Sequence, residues 1–216
     1  LVVIALLSKV SAAVLPGVVM VVGWWRSGTL RWRADGLRVL PWIVLSMPII
    51  WLTSLLEQAQ VVGGDWLPAL PLSDRLMLAG QLPWFYLGKL LWPAHLCVLY
   101  EKWVLAGWQW LGLIMLITTL AVLAWRRWHG ALALVLLFIG TLFPLLGFFE
   151  VNGMKYAWAA DRWAYLPAMA VCVGVAFGLG RLPRGISVAL LIICGVLTWR
   201  QAGLYASVDG FWQAAT

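Results

Sequence analysis

The chain has 216 residues, 64% of them hydrophobic and 11% charged, with a mean hydropathy of +0.94. A soluble domain carries about 25% charged residues, so composition excludes an ordinary water-solvated domain and makes length a measure of how many helices of roughly 20 residues cross a bilayer. The net charge of +7 comes from basic residues dispersed between apolar runs, with no basic stripe, which excludes nucleic acid as a partner and makes the lipid bilayer the first one.

In chain order, apolar runs fall at about 1–24, 39–56, 76–92, 104–124, 131–149, 163–180 and 186–199. They predict an all-α fold: a polytopic transmembrane helix bundle over 1–199. Leu1 opens inside the first run with neither the basic segment nor the cleavage site of a signal peptide, so the chain is expected to be an internal piece of a longer protein. In "SKVSAAVLP", Lys9 lies between Ser8 and Ser11 in apolar surroundings. An intramembrane lysine faces a bundle interior or cavity; the alternative is that Lys9 sits near a true helix end. The arginine-rich "WRSGTLRWRADGLR" precedes the second run, and "EQAQVVGGDWLPALPLSDR", with a turn at Gly63-Gly64, follows it.

Run 76–92 is the weakest span, carrying Gln81, Pro83, Gly88 and Lys89, with Pro93 just after it. Lys89, Tyr100 and His95 are candidates to line a wet cavity there; the plainer alternative is that Lys89 snorkels to the interface. Charge bears on the same run. If every run crossed once, the arginine loops would fall on both sides of the membrane. If 76–92 enters and leaves on one side, Arg26, Arg31, Arg33, Arg38, Arg126, Arg127, Arg181 and Arg184 share a side with a single acid, Asp35. The other side then holds Glu57, Asp65, Asp74, Glu101, Glu150, Asp161 and Asp209 with Arg75, Lys89, Lys102, Lys155, Arg162 and Arg200. The arginine side is cytoplasmic by the positive-inside rule. The expectation is about six spans plus one re-entrant or interfacial segment, with both ends of the chain outside.

"KYAWAADRWAYLP", 155–167, brings Lys155, Tyr156, Asp161, Arg162 and Tyr165 to the outer boundary of the sixth run. On a helix Asp161 and Tyr165, four apart, share a face. Asp161 at a helix start reads either as a cap or as part of a polar cluster in which Lys155 and Arg162 attract a phosphate. Cys97, Cys172 and Cys194 are far apart and read as small apolar side chains, with no metal or disulfide pattern. No GxxxxGK[ST], GxSxG, HExxH or GxGxxG string occurs, which removes soluble nucleotide and hydrolase chemistry.

Four stretches then carry a resemblance. "SKVSAAVLPGVVMVVGWW", "YLGKLLWPAHLCVLYEKW", "ADRWAYLP" and "TWRQAGLYASVDGFWQAAT" are similar, in that order, to motifs of the transmembrane and tetratricopeptide-repeat O-mannosyltransferases and their bacterial relatives, members of the type-C glycosyltransferase superfamily. The chain departs from them at Val10, where the family places Glu, at Gly23, where an acid precedes the tandem tryptophans, and at Trp163 after the Asp-Arg pair. The resemblance implies transfer of a sugar such as mannose from a polyprenyl-phosphate-linked donor to a protein or other acceptor on the outer side of a bacterial inner membrane. It implies a catalytic carboxylate upstream of residue 1, a fragment inactive alone, a divalent metal in some relatives, and an outward junction at 200–216 toward tetratricopeptide repeats. Lys89, Lys155, Asp161, Arg162, Tyr165 and Lys9 are the candidates for binding lipid phosphate. Two alternatives stand beside it: a non-catalytic anchor presenting a repeat domain, and a transporter of lipid-linked material, for which no internal inverted repeat is visible.

Overall fold

The structure, a computed structural model, describes residues 4–6, 10–29, 32–60, 70–94, 96–148, 154 and 157–204. Among them all regular structure is helical: α1 (Leu15–Ser27), α2 (Trp32–Gln60), α3 (Leu72–Leu91), α4 (Trp110–Trp125), α5 (His129–Leu142), α6 (Tyr165–Leu179) and α7 (Arg184–Leu204). Four stretches are long and apolar enough to cross a membrane: Asp35–Thr53, Gly107–Trp125, Asp161–Leu179 and Arg184–Gly203. Two shorter apolar stretches, Ala12–Ser27 and His129–Leu145, accompany them. A helical membrane bundle fits this set.

Local sequence explains most boundaries. Pro16 stands in the first turn of α1, where its missing N–H costs nothing, and Gly28 closes the helix at φ 68° with its N–H on the Trp24 carbonyl, 2.9 Å. α2 has 29 residues, about 44 Å at 1.5 Å per residue, so it extends well beyond the run 39–56 into both flanking loops. α7 likewise outgrows its short apolar run 186–199 at both ends. A three-residue turn joins α4 to α5 through Arg127 at φ 55°, and Ser187 Oγ donates to the Leu179 carbonyl at 2.8 Å, tying the start of α7 to the end of α6.

Tight turns reverse the chain between α4 and α5 and between α6 and α7, and α5 runs against α6 with Leu134 beside Gly174 and Leu142 near Ala164, so the four helices alternate and their ends sort. One end gathers Arg126 and Arg127 after α4, and Arg181 and Arg184 between α6 and α7. Arg26 joins them, because Trp24 of α1 meets the His129 ring edge-on at 5.7 Å. The opposite end gathers the start of α4, Phe148 beyond α5, Asp161 before α6, and the close of α7.

The expected re-entrant or interfacial segment, run 76–92, lies on one unbroken helix of 20 residues, α3, with no break at Pro83 or Gly88. The proline is tolerated because its neighbours hold the helix from outside. Trp84 Nε1 donates to the Gly112 carbonyl at 2.9 Å, and Gly80 lies so close to α4 that a Cβ added to Gly112 would stand 2.8 Å from the Gly80 carbonyl oxygen. Two points of α3 touch the same end of the α5–α6 pair. Arg75 donates to the Leu70 and Phe148 carbonyls at 2.9 and 3.1 Å, while Tyr86, near the other end, bonds Ala160. Leu78, Leu82 and Tyr86 of α3 pack with Phe138, Leu142, Leu146, Trp158 and Ala170 into the buried core.

Candidate functional site

Beyond α3 the helix stops at Trp92, because Pro93 disfavours helical geometry in the residue before it. The chain then runs as an irregular strap from 92 to 106. Irregular backbone survives at a membrane protein's interior only where protein or water satisfies it, and here the partner is the segment before α6. Tyr100 N–H donates to the Ala159 carbonyl at 3.0 Å, and Asp161 N–H to the Cys97 carbonyl at 3.4 Å. Ala157, Ala159 and Ala160 are fully buried beneath the strap. The Tyr86 hydroxyl serves Ala160 twice, accepting its N–H at 3.1 Å and donating to its carbonyl at 3.2 Å. Trp158 Nε1 donates to the Trp103 carbonyl at 3.1 Å. Small alanines let this polar backbone sit deep; the tyrosine and the strap satisfy it.

A charged group lies on this framework. Tyr100 donates its hydroxyl to Asp161 Oδ1 at 2.8 Å and accepts the Cys97 N–H at 3.1 Å. Lys89 Nζ lies 5.0 Å from the Tyr100 ring centroid and 5.8 Å from that of Phe85, and donates to the Ala94 carbonyl at 3.2 Å. Its charge acts on Asp161. Asp161 Oδ2 is buried with no hydrogen-bond partner among the described residues. Burial, then the hydrogen bond to Asp161 and that carboxylate's charge, push the Tyr100 phenol well above its ordinary value, so it stays a proton donor. Burial lowers Lys102, whose Nζ sits 4.5 Å from the Trp158 ring centroid. Gln201 near the close of α7 donates Nε2 to the Leu96 carbonyl at 2.6 Å, and buried Gln109 fastens the strap's far end through the Ala106 N–H at 2.7 Å.

The structure therefore brings together Lys89, Tyr100 and Asp161. Arg162 is exposed, its guanidinium 6.0 Å from the Trp163 ring. Tyr165 is 71% exposed and does not share a face with Asp161. The reason is that residues Asp161–Ala164 form a 3-10 turn, with three residues per turn rather than 3.6, which sends positions four apart in different directions. Asp161 does not cap: no side-chain cap bond is made at this turn or at α6, since the carboxylate is engaged by Tyr100. Lys9, Lys155, Tyr156 and His95 lie outside the described residues.

Sequence reasoning missed Tyr86, Gln109 and Gln201. The latter two carried a weak signal, an amide at the edge of an apolar run. Among the described residues no three His, Cys, Asp or Glu side chains gather. The divalent metal that the resemblance implies for some relatives therefore finds no such cluster among the described residues. Compared with known protein families, with characterised proteins and with solved structures, the chain shows no match.

Proposed function

We propose that the chain is the lipid-phosphate-binding membrane part of a glycosyltransferase, which takes a sugar from a polyprenyl-phosphate donor and passes it to a protein acceptor on the outer side. One observation carries this reading. Three of the four stretches that resemble the transferase family, far apart in sequence, converge on one hydrogen-bonded group: Tyr100 bonds Asp161 across 61 residues, and Gln201 bonds the Leu96 carbonyl across 105. Convergence of this kind is expected of a site and not of separate interface residues.

The arginine end is cytoplasmic in this reading and the Lys89 end faces outward. α3 dips from the outer end to the level of Leu116 and Gly174 without carrying the chain across, which keeps the charge separation of the loops. Lys89 supplies a compact ammonium for the donor phosphate. Tyr100 and Asp161 are positioning residues: the phenol holds the carboxylate, and the carboxylate's charge steadies the ammonium. Arg162, exposed on the next residue, stands at the rim of the same site.

The test is donor dependence in membranes carrying the whole protein. Losing a charge-assisted hydrogen bond costs about 1.5–3 kcal/mol, roughly ten- to a hundred-fold. Lys89→Met raises the half-saturating concentration of polyprenyl-phosphate sugar by that factor, Lys89→Arg restores part of it, and Arg181→Ala at the opposite end changes nothing. Equal donor dependence in Lys89→Met and the unaltered protein refutes the assignment.

A further inference from the structure

A partly open apolar cleft of about 320 Å³ lies between α3, α4, α5 and α6. Leu87 and Leu91 of α3, Leu116 and Thr119 of α4, Phe138 of α5 and Gly174 of α6 line it. The sole hydroxyl in that wall is closed off, because Thr119 Oγ1 donates to the Met115 carbonyl at 2.8 Å. A cavity with no polar group to offer does not hold water. Nor does it recognise a sugar or a phosphate, which would lose their hydration without replacement.

Depth narrows the occupant further. Leu116 and Thr119 fall in the middle of α4, Phe138 well inside α5, and Gly174 in the middle of α6. α4 and α6 belong to stretches long and apolar enough to cross a membrane. Their outward side chains, among them Ile114, Ile117, Val173 and Phe177, are exposed and face the bilayer. At that level of a hydrocarbon core about 30 Å thick only lipid tails are present, while head groups remain near the surface. Two lining residues are exposed, Leu91 of α3 at 48% and Val175 of α6 at 36%, so the cleft opens between these helices. The volume is about twice the ~150 Å³ of a dry apolar cavity that seats a benzene ring. An unfilled void forfeits dispersion contacts along its whole lining. Acyl chains of the bulk bilayer are the most concentrated apolar species at its mouth, so mass action favours them over any scarcer lipid.

We infer that this cavity is a binding site for one acyl chain of a bilayer phospholipid, entering between α3 and α6 past Val175. The chain acts as a removable part of the core, distinct from any donor lipid held at Lys89.

Gly174→Leu fills the site from within. A Cβ at 174 meets only Leu134 Cδ1, at 3.6 Å, an ordinary contact, so the first atom of the new side chain is accommodated. Gly178→Leu on the same helix, where a Cβ meets nothing within 4 Å, is the control. The protein is reconstituted in bilayers containing a phosphatidylglycerol with a diazirine midway along one acyl chain, or a diazirine-bearing polyprenyl phosphate. After irradiation, peptides are mapped. The phospholipid probe is expected on α4–α6 peptides bearing Leu116, Phe138 or Gly174, reduced at least five-fold by Gly174→Leu and unchanged by Gly178→Leu. Val175→Trp, which blocks the mouth, repeats the test should Gly174→Leu fail to insert. Phospholipid labelling indifferent to both substitutions overturns the site. Labelling of these peptides by polyprenyl phosphate alone overturns the acyl-chain assignment and gives the cavity to the isoprenoid.

Discussion

Replacing Tyr100 with Phe removes one oxygen and, among the described residues, the hydroxyl's donation to Asp161 Oδ1 at 2.8 Å and its acceptance of the Cys97 N–H at 3.1 Å. The first is a hydrogen bond to an ionised group, about 1.5–3 kcal/mol, and the second leaves an amide short of a partner, about 1–3 kcal/mol. With Oδ2 already unpartnered among the described residues, the substitution removes the one hydrogen bond they give the Asp161 carboxylate. A loss of about 2–4 kcal/mol follows, since the strap retains its backbone bonds to Ala159 and Asp161. The informative measurement is a double-mutant cycle with Asp161→Asn, read by reversible unfolding in mixed detergent micelles. Tyr100→Phe and Asp161→Asn are each destabilising, and the double variant should lose less than their sum by at least about 1 kcal/mol. Tyr165→Phe, at a 71% exposed position, should stay within about 0.5 kcal/mol of the unaltered protein. A coupling energy under about 0.3 kcal/mol would mean that the pair does not act as a unit, and the positioning role would fall.

Gly112→Ala places a methyl against the Gly80 backbone and should lower stability by about 1–3 kcal/mol, whereas Gly88→Ala, where a Cβ meets nothing within 4 Å, should be neutral or stabilising; thermal unfolding of both compares them directly. In a background lacking Cys97, Cys172 and Cys194, an impermeant thiol reagent added to intact cells should modify Glu101→Cys and spare Thr29→Cys; the reverse pattern would invert the orientation. Because the Tyr100 phenol is raised, its contribution to stability is fully present below the unfolded tyrosine value of about 10 and is lost as pH climbs through the folded one. Phenolate absorbance at roughly pH 11 should therefore be the same in Tyr100→Phe and the unaltered protein, and a smaller signal in the variant would show that Tyr100 ionises normally.

The helices were legible in the sequence because membrane helices announce themselves by composition alone: each apolar run that falls on described residues lies on a helix. Charge, a property of each loop by itself, also singled out Arg26, Arg126, Arg127, Arg181 and Arg184, which lie toward one end of the bundle. α3 was not, because Pro83 and Gly88 are read as breaks locally, while what holds the helix straight through them is Gly112 and its neighbours on another helix. The site was legible only as separate pieces. Lys89 and Asp161 stood out as charges at apolar boundaries, but nothing in the chain states that residue 100 pairs with residue 161. Tyr86 carried no signal at all, being one aromatic among neighbours in "WFY", although its hydroxyl satisfies both polar groups of Ala160. Tyr165 was misread because periodicity assumes an α-helix from its first residue, and this one begins with a tighter turn.

α3 also fixes an order of events during synthesis. It is absent from the stretches apolar enough to enter a bilayer unaided, and it carries Asp74, Arg75 and Lys89. The acceptor of Arg75 at Phe148 emerges 73 residues later, and Ala160, which completes Tyr86, 74 residues later. At 5–20 residues per second the ribosome takes about 4–15 s to deliver them. Through most of that interval only α4, which meets Trp84 at Gly112 from 28 residues later in the chain, offers the newborn segment a surface. The nascent chain must wait at the membrane border, or be sheltered there by an insertase, until α5 and α6 arrive to receive it.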